Sequence, residues 1–189
     1  MIKGPRICLR QWTDDDLDPF AEMDADPEVM RFLPKVATRE ESSQFLENCR
    51  NYIEKNEWGL WVVEIDDTFA GITGCRKVSF QAHFTPAIEI GWRLRKEFWG
   101  HGYATEAARV ALLHGFLNYD WREIVSYTTY QNKPSWRVMQ RLGMSHDEAD
   151  DFYHPKIPKG HPLQLHCLYR LKSSPSLVEE LRKNLKKEN

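Results

Sequence analysis

The stretch Ile88-Glu89-Ile90-Gly91-Trp92-Arg93-Leu94, followed by Trp99-Gly100-His101-Gly102-Tyr103-Ala104-Thr105-Glu106-Ala107-Ala108, decides the fold of this chain. It predicts a strand, a short loop with glycines at alternate positions, and an Ala-rich helix. Glycines let a loop adopt backbone angles that other residues avoid and approach a ligand closely. The helix directs unpaired N–H groups and the positive end of its dipole at the loop, a position that suits a diphosphate. Many such turns bind nothing, so the stretch alone does not establish a site.

Strand and helix patterns elsewhere mix without strict alternation. Strands are predicted over residues 6–12, 58–65, 70–80, 87–95, 123–130, 144–153 and 165–172. Helices are predicted after the capping-box pattern that begins at Thr38, over 103–118 and over 133–142. These elements favour an α/β (α+β) fold with a sheet of six or seven strands, mostly antiparallel. A Rossmann domain is disfavoured because Thr105 stands in the third-glycine place. The Walker A motif is also absent, because its lysine is missing.

Bulk properties fit one soluble domain with a sizeable core. The chain has 189 residues and a net charge of −2, so no global field favours nucleic acid or an anionic membrane. No apolar run is long enough to cross a bilayer, and four scattered cysteines indicate reduced thiols in a cytoplasmic protein. Ser174-Pro175 marks a break. We therefore expect one main domain over 1–174 and a basic C-terminal helix or tail over 175–189.

The segment after the glycine loop carries a family resemblance. A strand, Glu123–Tyr130, precedes Asn132-Lys133-Pro134-Ser135 and Leu142-Gly143-Met144. Together with the loop, these elements resemble the GNAT acetyltransferases, whose signature Arg/Gln-x-x-Gly-x-Gly/Ala falls on Trp99–Ala104. Further stretches look like the ribosomal-protein N-acetyltransferase (RimJ/RimL-type) branch of that family. They are Ile7–Arg10, Asp26–Leu33, Asp151–Pro155, Gly160–Leu163 and Leu168–Leu171.

The resemblance covers residues 5–172 and implies the GNAT fold, with helices on both faces of the sheet. It also implies an acetyl-CoA-dependent N-acetyltransferase without a metal, in which the acetyl group passes directly to a primary amine. Main-chain groups of Trp92, Arg93 and Leu94 would hold the pantetheine arm, and the less favoured alternative for Trp92 and Leu94 is plain core packing. The other implied cofactor residues are Trp99, Gly100, His101, Gly102, Tyr103, Ala104, Thr105, Asn132 and Ser135.

Two positions depart from the family pattern. Trp99 occupies the Arg/Gln slot, so a side-chain charge is missing there. Met139 occupies the place of a tyrosine that protonates the departing thiolate in many members. Ser135 is the expected substitute for that tyrosine, and its alternative role is to cap the first turn of the helix.

Glu89 is the candidate general base. Strand alternation places Glu89, Gly91 and Arg93 on one face, where apolar surroundings would make the carboxylate useful as a base. The alternative is an ion pair with a neighbouring strand, for example with Arg76. Asp150 and Asp151 are rival bases, because the resemblance places their loop near the acceptor.

The acceptor is expected to contact residues 20–35 and 148–163, the variable walls of the family. Acids there give these walls a negative character that would attract a cation: Asp24, Asp26, Glu28, Asp150 and Asp151. A protein N-terminal amine is the first choice, and a small amine such as a polyamine, amino-acid derivative or antibiotic is the second. A catalytically silent CoA-binding regulatory module is the rival class. A nucleic-acid partner is unlikely on charge grounds, and a homodimer stays open.

Three histidines near the C-terminus, His154, His161 and His166, lack the spacing of a zinc site. Packing or hydrogen bonding of their loop is the preferred interpretation, and a role in moving the amine proton stays open. The lysines of the tail predict a solvated face.

Overall fold

The computed structural model describes residues 1–187. Nine strands occur in that part of the chain: β1 (Ile2–Lys3), β2 (Cys8–Arg10), β3 (Leu60–Ile65), β4 (Thr68–Lys77), β5 (Ile88–Leu94), β6 (Glu123–Thr129), β7 (Ser145–His146), β8 (Phe152–Tyr153) and β9 (Leu165–Lys172). Five α-helices accompany them: α1 (Leu17–Ala25), α2 (Arg39–Asn56), α3 (Tyr103–Asn118), α4 (Lys133–Arg141) and α5 (Pro175–Lys186).

The strands form one sheet in the order β1-β2-β3-β4-β5-β6-β9-β7, with β8 also paired to β9. Every pairing is antiparallel except that of β5 with β6. The mixed, mostly antiparallel sheet is confirmed. The number of strands exceeds the predicted six or seven because β1, β7 and β8 are two-residue strands that alternation in the sequence cannot reveal.

The predicted strand over 144–153 is wrong. It breaks between β7 and β8 into a short 3₁₀ helix, Glu148–Asp150. The side chain of Asp147 caps that helix by accepting a hydrogen bond from the Ala149 N–H at 3.0 Å. An Asp that binds the backbone two residues ahead competes with the strand, which accounts for the break.

Helices cover both faces of the sheet, as the family resemblance implied. On one face α1 and α2 bury Phe20, Leu46 and Ile53 against β3 and β4. On the other face α3, α4 and α5 pack their apolar side chains against β5, β6 and β9. The predicted start of α2 is confirmed, because Thr38 and Glu41 form a reciprocal capping box.

The end of the described chain is a helix. Ser174 caps α5 by accepting from the Leu177 N–H at 3.1 Å, and Leu181 is 2% exposed within the core that α3 shares. Residues 188 and 189 of the predicted basic tail lie outside the described part. Among the helices of residues 1–187, none is both long and apolar enough to span a bilayer.

Replacing Leu181 tests whether α5 is integral to the fold. Leu181→Ala is expected to lower the free energy of unfolding by about 2–5 kcal/mol, since it loses buried apolar surface and leaves a cavity. The matched control is Leu117→Ala on α3, where the side chain is 50% exposed and the expected change is within about 0.5 kcal/mol. Urea denaturation measures both. Equally small effects would mean that α5 does not stay packed in solution.

Candidate active site

The glycine loop between β5 and α3 has the backbone geometry that the sequence predicts. Gly100 and Gly102 adopt φ of 82° and 84°, in the left-handed region that side chains disfavour. A Cβ added to Gly100 would have no heavy atom within 4 Å. The loop therefore exposes its main chain on the side away from the protein.

Main-chain N–H groups of this loop are free to bind a ligand. The N–H groups of Thr105 and Glu106 both donate to the Gly102 carbonyl, at 3.0 and 3.1 Å. Within residues 1–187, the N–H groups of residues 100–104 have no hydrogen-bond acceptor. They lie at the positive end of the α3 dipole, so the geometry fits an anion.

Beside the loop, β5 and β6 separate. Their parallel register holds only for Ile88 with Ile124 and for Glu89 with Val125. Past that point Ser126 Oγ donates to the Ile90 carbonyl at 3.0 Å, which places the Ile90 main chain on the β6 side. Beyond Ile90, β5 therefore has one edge without a partner strand.

Strand alternation decides which main-chain groups face this gap. Successive residues direct their N–H and C=O groups to opposite sides, so Trp92 and Leu94 face the gap as Ile90 does. Arg93 faces β4 instead, in register with Ile72. The indole of Trp99 donates to the Leu94 carbonyl at 2.8 Å. Trp99 thus holds the loop against β5, and the N–H groups of Trp92 and Leu94 remain available.

Asn132 and Ser135 lie at the start of α4, at the far side of the gap. The Asn132 side chain caps the helix by accepting from the Ser135 N–H at 3.3 Å, and its Nδ2 donates to Thr128 Oγ1 at 2.9 Å. Asn132, rather than the Ser135 hydroxyl, is therefore the cap of this helix. Met139 is fully buried in the core.

The Glu89 side chain is buried and takes part in an ion pair. Its carboxylate accepts from Arg76 Nε at 2.6 Å, which is the ion pair considered from the sequence. Tyr127 lies on the neighbouring strand β6, on the same face of the sheet as Glu89. Burial, followed by the negative charge of Glu89, raises the pKa of Tyr127 above its ordinary value, so the phenol stays protonated.

An open recess lies on the same face as Glu89. Gly91 sits between Glu89 and Arg93, and a Cβ added to it would meet nothing within 4 Å. At the far end, Arg93 Nη2 lies 3.2 Å from Asp24 Oδ1. Burial raises the pKa of Asp24 and lowers that of Arg93, the directions expected for charges removed from water. The recess thus has a carboxylate at each end, and each carboxylate is paired with an arginine.

The expected negative character of the acceptor walls is partly offset by neighbouring side chains. Each of the five acids has a partner in the structure. The pairs are Asp24 with Arg93 at 3.2 Å, Asp26 and Glu28 with Lys96 at 2.9 and 3.4 Å, Asp150 with Arg170 at 2.7 Å, and Asp151 with His146 at 2.8 Å.

The rival bases Asp150 and Asp151 have structural roles. Arg170 lowers the pKa of Asp150, which holds the 3₁₀ helix against β9. Asp151 accepts from the Tyr130 hydroxyl and from the Leu168 N–H at 3.2 Å. The Asp151 hydrogen bond raises the pKa of Tyr130 to about 12. These contacts fix the loop against the last strand.

His154 and His166 belong to an aromatic cluster. Their rings lie 5.0 Å apart, and both pack near Tyr127 and Phe152. Burial lowers the pKa of both imidazoles, that of His166 to about 4. His161 Nδ1 accepts from the Leu163 N–H at 3.1 Å. The described residues bring together no group of three His, Cys, Asp or Glu side chains suited to a metal.

Sequence reasoning missed two residues of this site. Tyr127 carried a signal, since alternation along β6 places it on the face of Val125 and hence of Glu89. Arg6 carried none, because its contacts with the glycine loop join positions about one hundred residues apart.

Comparison with known proteins identifies the family. A family model described as the acetyltransferase (GNAT) domain matches residues 6–145. The chain belongs to the GNAT acetyltransferases. Membership implies acetyl-CoA as the acetyl donor, and the open N–H groups of the glycine loop fit the diphosphate of that donor.

Individual GNAT relatives agree with this assignment. The chain is 28% identical over 160 residues to the uncharacterized N-acetyltransferase YnaD of Bacillus subtilis, covering 84% of this chain and 89% of the relative. It is 30% identical over 137 residues to the FsC-acetyl coenzyme A-N(2)-transacetylase of Aspergillus fumigatus, covering 68% and 57%. The crystal structure of a GNAT-family acetyltransferase from Bacillus anthracis superposes with a TM-score of 0.74 at 27% identity, covering 90% and 97%.

The buried imidazole of His166 gives this GNAT protein a pH-dependent stability. An unfolded histidine has a pKa of about 6.5, whereas burial holds that of folded His166 at about 4. Between these values the unfolded chain takes up a proton that the folded chain refuses, so stability falls as pH drops below about 6.5.

Between pH 7 and pH 5 the wild type is expected to lose about 2 kcal/mol of its free energy of unfolding through His166, and the variant His166→Phe should not show this loss. Urea denaturation of both proteins at the two pH values measures the difference, and NMR titration of the imidazole checks the pKa. A ring that titrates near pH 6.5 in the folded protein would contradict this explanation.

Proposed function

We propose that this GNAT protein transfers the acetyl group of acetyl-CoA to the nitrogen of a primary amine, most favourably a protein N-terminal amine. The observation that carries the proposal is the set of N–H groups at residues 100–104 that have no acceptor within residues 1–187, beside the edge of β5 that no described strand covers. The RimJ/RimL-type motifs of the sequence support a protein acceptor.

The cofactor would bind along main-chain groups. The N–H groups of Gly100–Ala104 would hold the diphosphate, with Trp99, His101 and Thr105 shaping the loop. Trp92 and Leu94 would bind the pantetheine arm, whereas the Arg93 main chain is engaged on the β4 side. Asn132 would face the arm from the start of α4. Since backbone groups make these contacts, the tryptophan at position 99 does not prevent them.

When bound, acetyl-CoA supplies a thioester whose carbonyl carbon accepts the amine. Holding both reactants at attack distance contributes about 7–11 kcal/mol when the geometry is good. The Trp92 N–H is the donor on the gap side of β5 that would stabilise negative charge on the carbonyl oxygen. The acceptor would enter from the opposite face, through the recess above Gly91.

Glu89 is the proposed proton acceptor for the amine. Its carboxylate is buried at the edge of the recess and accepts from Arg76 Nε at 2.6 Å. This contact orients it, and a proton would reach it directly or through a water molecule. Ser135, in the first turn of α4, is proposed to protonate the departing thiolate.

An acceptor of low pKa depends least on the protein for the loss of its proton. An N-terminal amine has a pKa of about 7.7–8.0, so it loses its proton near neutral pH far more readily than a lysine-like amine of about 10.4. The name of the Aspergillus relative keeps a small amine as the second candidate acceptor. A cytoplasmic location and a homodimer stay predictions.

Glu89→Gln is expected to reduce kcat by about 10²-fold or more, because the amine loses its proton acceptor, and Ser135→Ala by about tenfold. Thiol release from acetyl-CoA, measured with N-terminal peptides and small amines as acceptors, tests both. The matched control is Glu64→Gln on β3, another strand carboxylate paired with an arginine, Arg10. It should leave kcat unchanged.

Three results would weigh against the proposal. If neither Glu89→Gln nor Ser135→Ala slows turnover tenfold, the catalytic assignments are wrong although the family stands. If the wild type binds acetyl-CoA but releases no thiol with any amine, the result favours the hypothesis of a catalytically silent regulatory module. A preference for lysine-like amines over peptide N-termini would overturn the acceptor.

Filling the recess above Gly91 should weaken binding of the acceptor without weakening binding of CoA. In the series Gly91→Ala, Val and Leu, the acceptor KM is expected to rise with each added carbon, by at least about tenfold at Leu. The Kd for CoA, measured by calorimetry, should change less than twofold. A CoA affinity that falls in step with side-chain size would place the recess on the cofactor side instead.

A further inference from the structure

Arg6 reaches the glycine loop from the other end of the chain. Its Nη1 donates to the His101 carbonyl at 3.2 Å, and its guanidinium lies 4.9 Å from the centre of the Tyr103 ring. Its Nη2 lies 3.6 Å from the position that a Cβ on Gly102 would take. A positive charge therefore sits directly against the loop whose N–H groups are unpartnered.

Glu106 holds this guanidinium in place. The Glu106 side chain is fully buried in the first turn of α3, and its Oε2 lies 2.7 Å from both Nε and Nη2 of Arg6. The Arg6 backbone N–H donates to the other oxygen at 2.7 Å. These charge-assisted contacts fix a long side chain before any ligand arrives, so binding a ligand costs little further ordering.

The two charges of the Arg6–Glu106 pair have opposite effects on an anion bound at the loop. A buried carboxylate in the first turn stabilises α3, but by itself it would repel an anion at the same N–H groups. Arg6 cancels that charge. Of the five N–H groups of its guanidinium, contacts to Glu106 and His101 occupy three, and the side chain is 37% exposed. One N–H on each of Nη1 and Nη2 remains for a ligand.

We infer that Arg6 binds the diphosphate of acetyl-CoA together with the N–H groups of residues 100–104. This inference rests on the proposed cofactor site. Trp99 carries no charge and is engaged with the Leu94 carbonyl. The cation at this end of the cofactor site thus comes from the segment between β1 and β2, which the fold lays across the first turns of α3.

Calorimetry with three ligands tests the inference. CoA and 3′-dephospho-CoA both carry the diphosphate, whereas pantetheine lacks it and is measured by competition against a fluorescent CoA. Arg6→Gln is expected to raise the Kd for the first two by about tenfold and to change that for pantetheine less than twofold. Arg6→Lys keeps the charge and should lose less affinity than Arg6→Gln.

Two further variants separate binding from folding. Arg6→Gln combined with Glu106→Gln leaves no unpaired buried charge, so it should fold even if the single variant does not. It is expected to raise the Kd for CoA about threefold, less than Arg6→Gln because the repelling carboxylate is also gone. Arg10→Gln is the matched control, because Arg10 pairs with Asp16 and Glu64 on the same N-terminal segment. It should leave all three affinities unchanged.

Three results would overturn the role of Arg6. The first is a CoA affinity within twofold of wild type in the double variant and in any folded single variant. The second is an equal loss for pantetheine, which would indicate a purely structural contact. The third is a loss for CoA but not for 3′-dephospho-CoA, which would assign Arg6 to the ribose phosphate. Wild-type protein that binds none of the three ligands would instead refute the proposed function itself.

Discussion

Backbone groups without partners impose the main constraint on this structure. The sheet pairs β5 with β6 over two residues only, and the N–H groups of residues 100–104 have no acceptor in the described chain. A backbone donor withdrawn from water without a partner costs free energy comparable to a lost hydrogen bond. The fold tolerates these groups because they are accessible, so water or a ligand can bind them. A place for a ligand thus arises from the backbone before any side chain is considered.

The charged side chains around the gap occur as ion pairs, in which the two charges nearly cancel. Arg76 with Glu89, Arg93 with Asp24, and Arg6 with Glu106 each combine a buried carboxylate with a guanidinium. Such pairs contribute little net stability, because desolvation offsets much of the attraction, but breaking one leaves an uncompensated charge. Their value here is geometric, since each pair holds a polar group at a fixed place on one side of the gap. Each acid of the walls expected from the sequence has a partner in the structure.

Local patterns predicted most of the fold. The capping box at Thr38, the glycine loop, and the alternation of β5 are short-range features, and the structure agrees with each. The break that divides the predicted strand over 144–153 into β7 and β8 escaped prediction because the Asp147 side chain binds the backbone there. The candidate site was predictable only as far as single elements extend. Which carboxylate meets which arginine depends on strand order and register, so the contacts of Glu89, Asp24 and Glu106 could not be read from spacing.

In the proposed reaction, the sheet would separate the two reactants. Ile90 and the apolar side chains beside it face α3, whereas Glu89, Gly91 and Arg93 face α1 and α2. A cofactor anchored at the α3 loop can pass its reactive end through the gap, and an amine can meet it from the opposite face. Each reactant would then shield one side of the gap from water, which would limit hydrolysis of the thioester. An enzyme built in this way can change its acceptor by changing the α1–α2 face alone, because the cofactor contacts belong to main-chain groups that the substitution leaves intact.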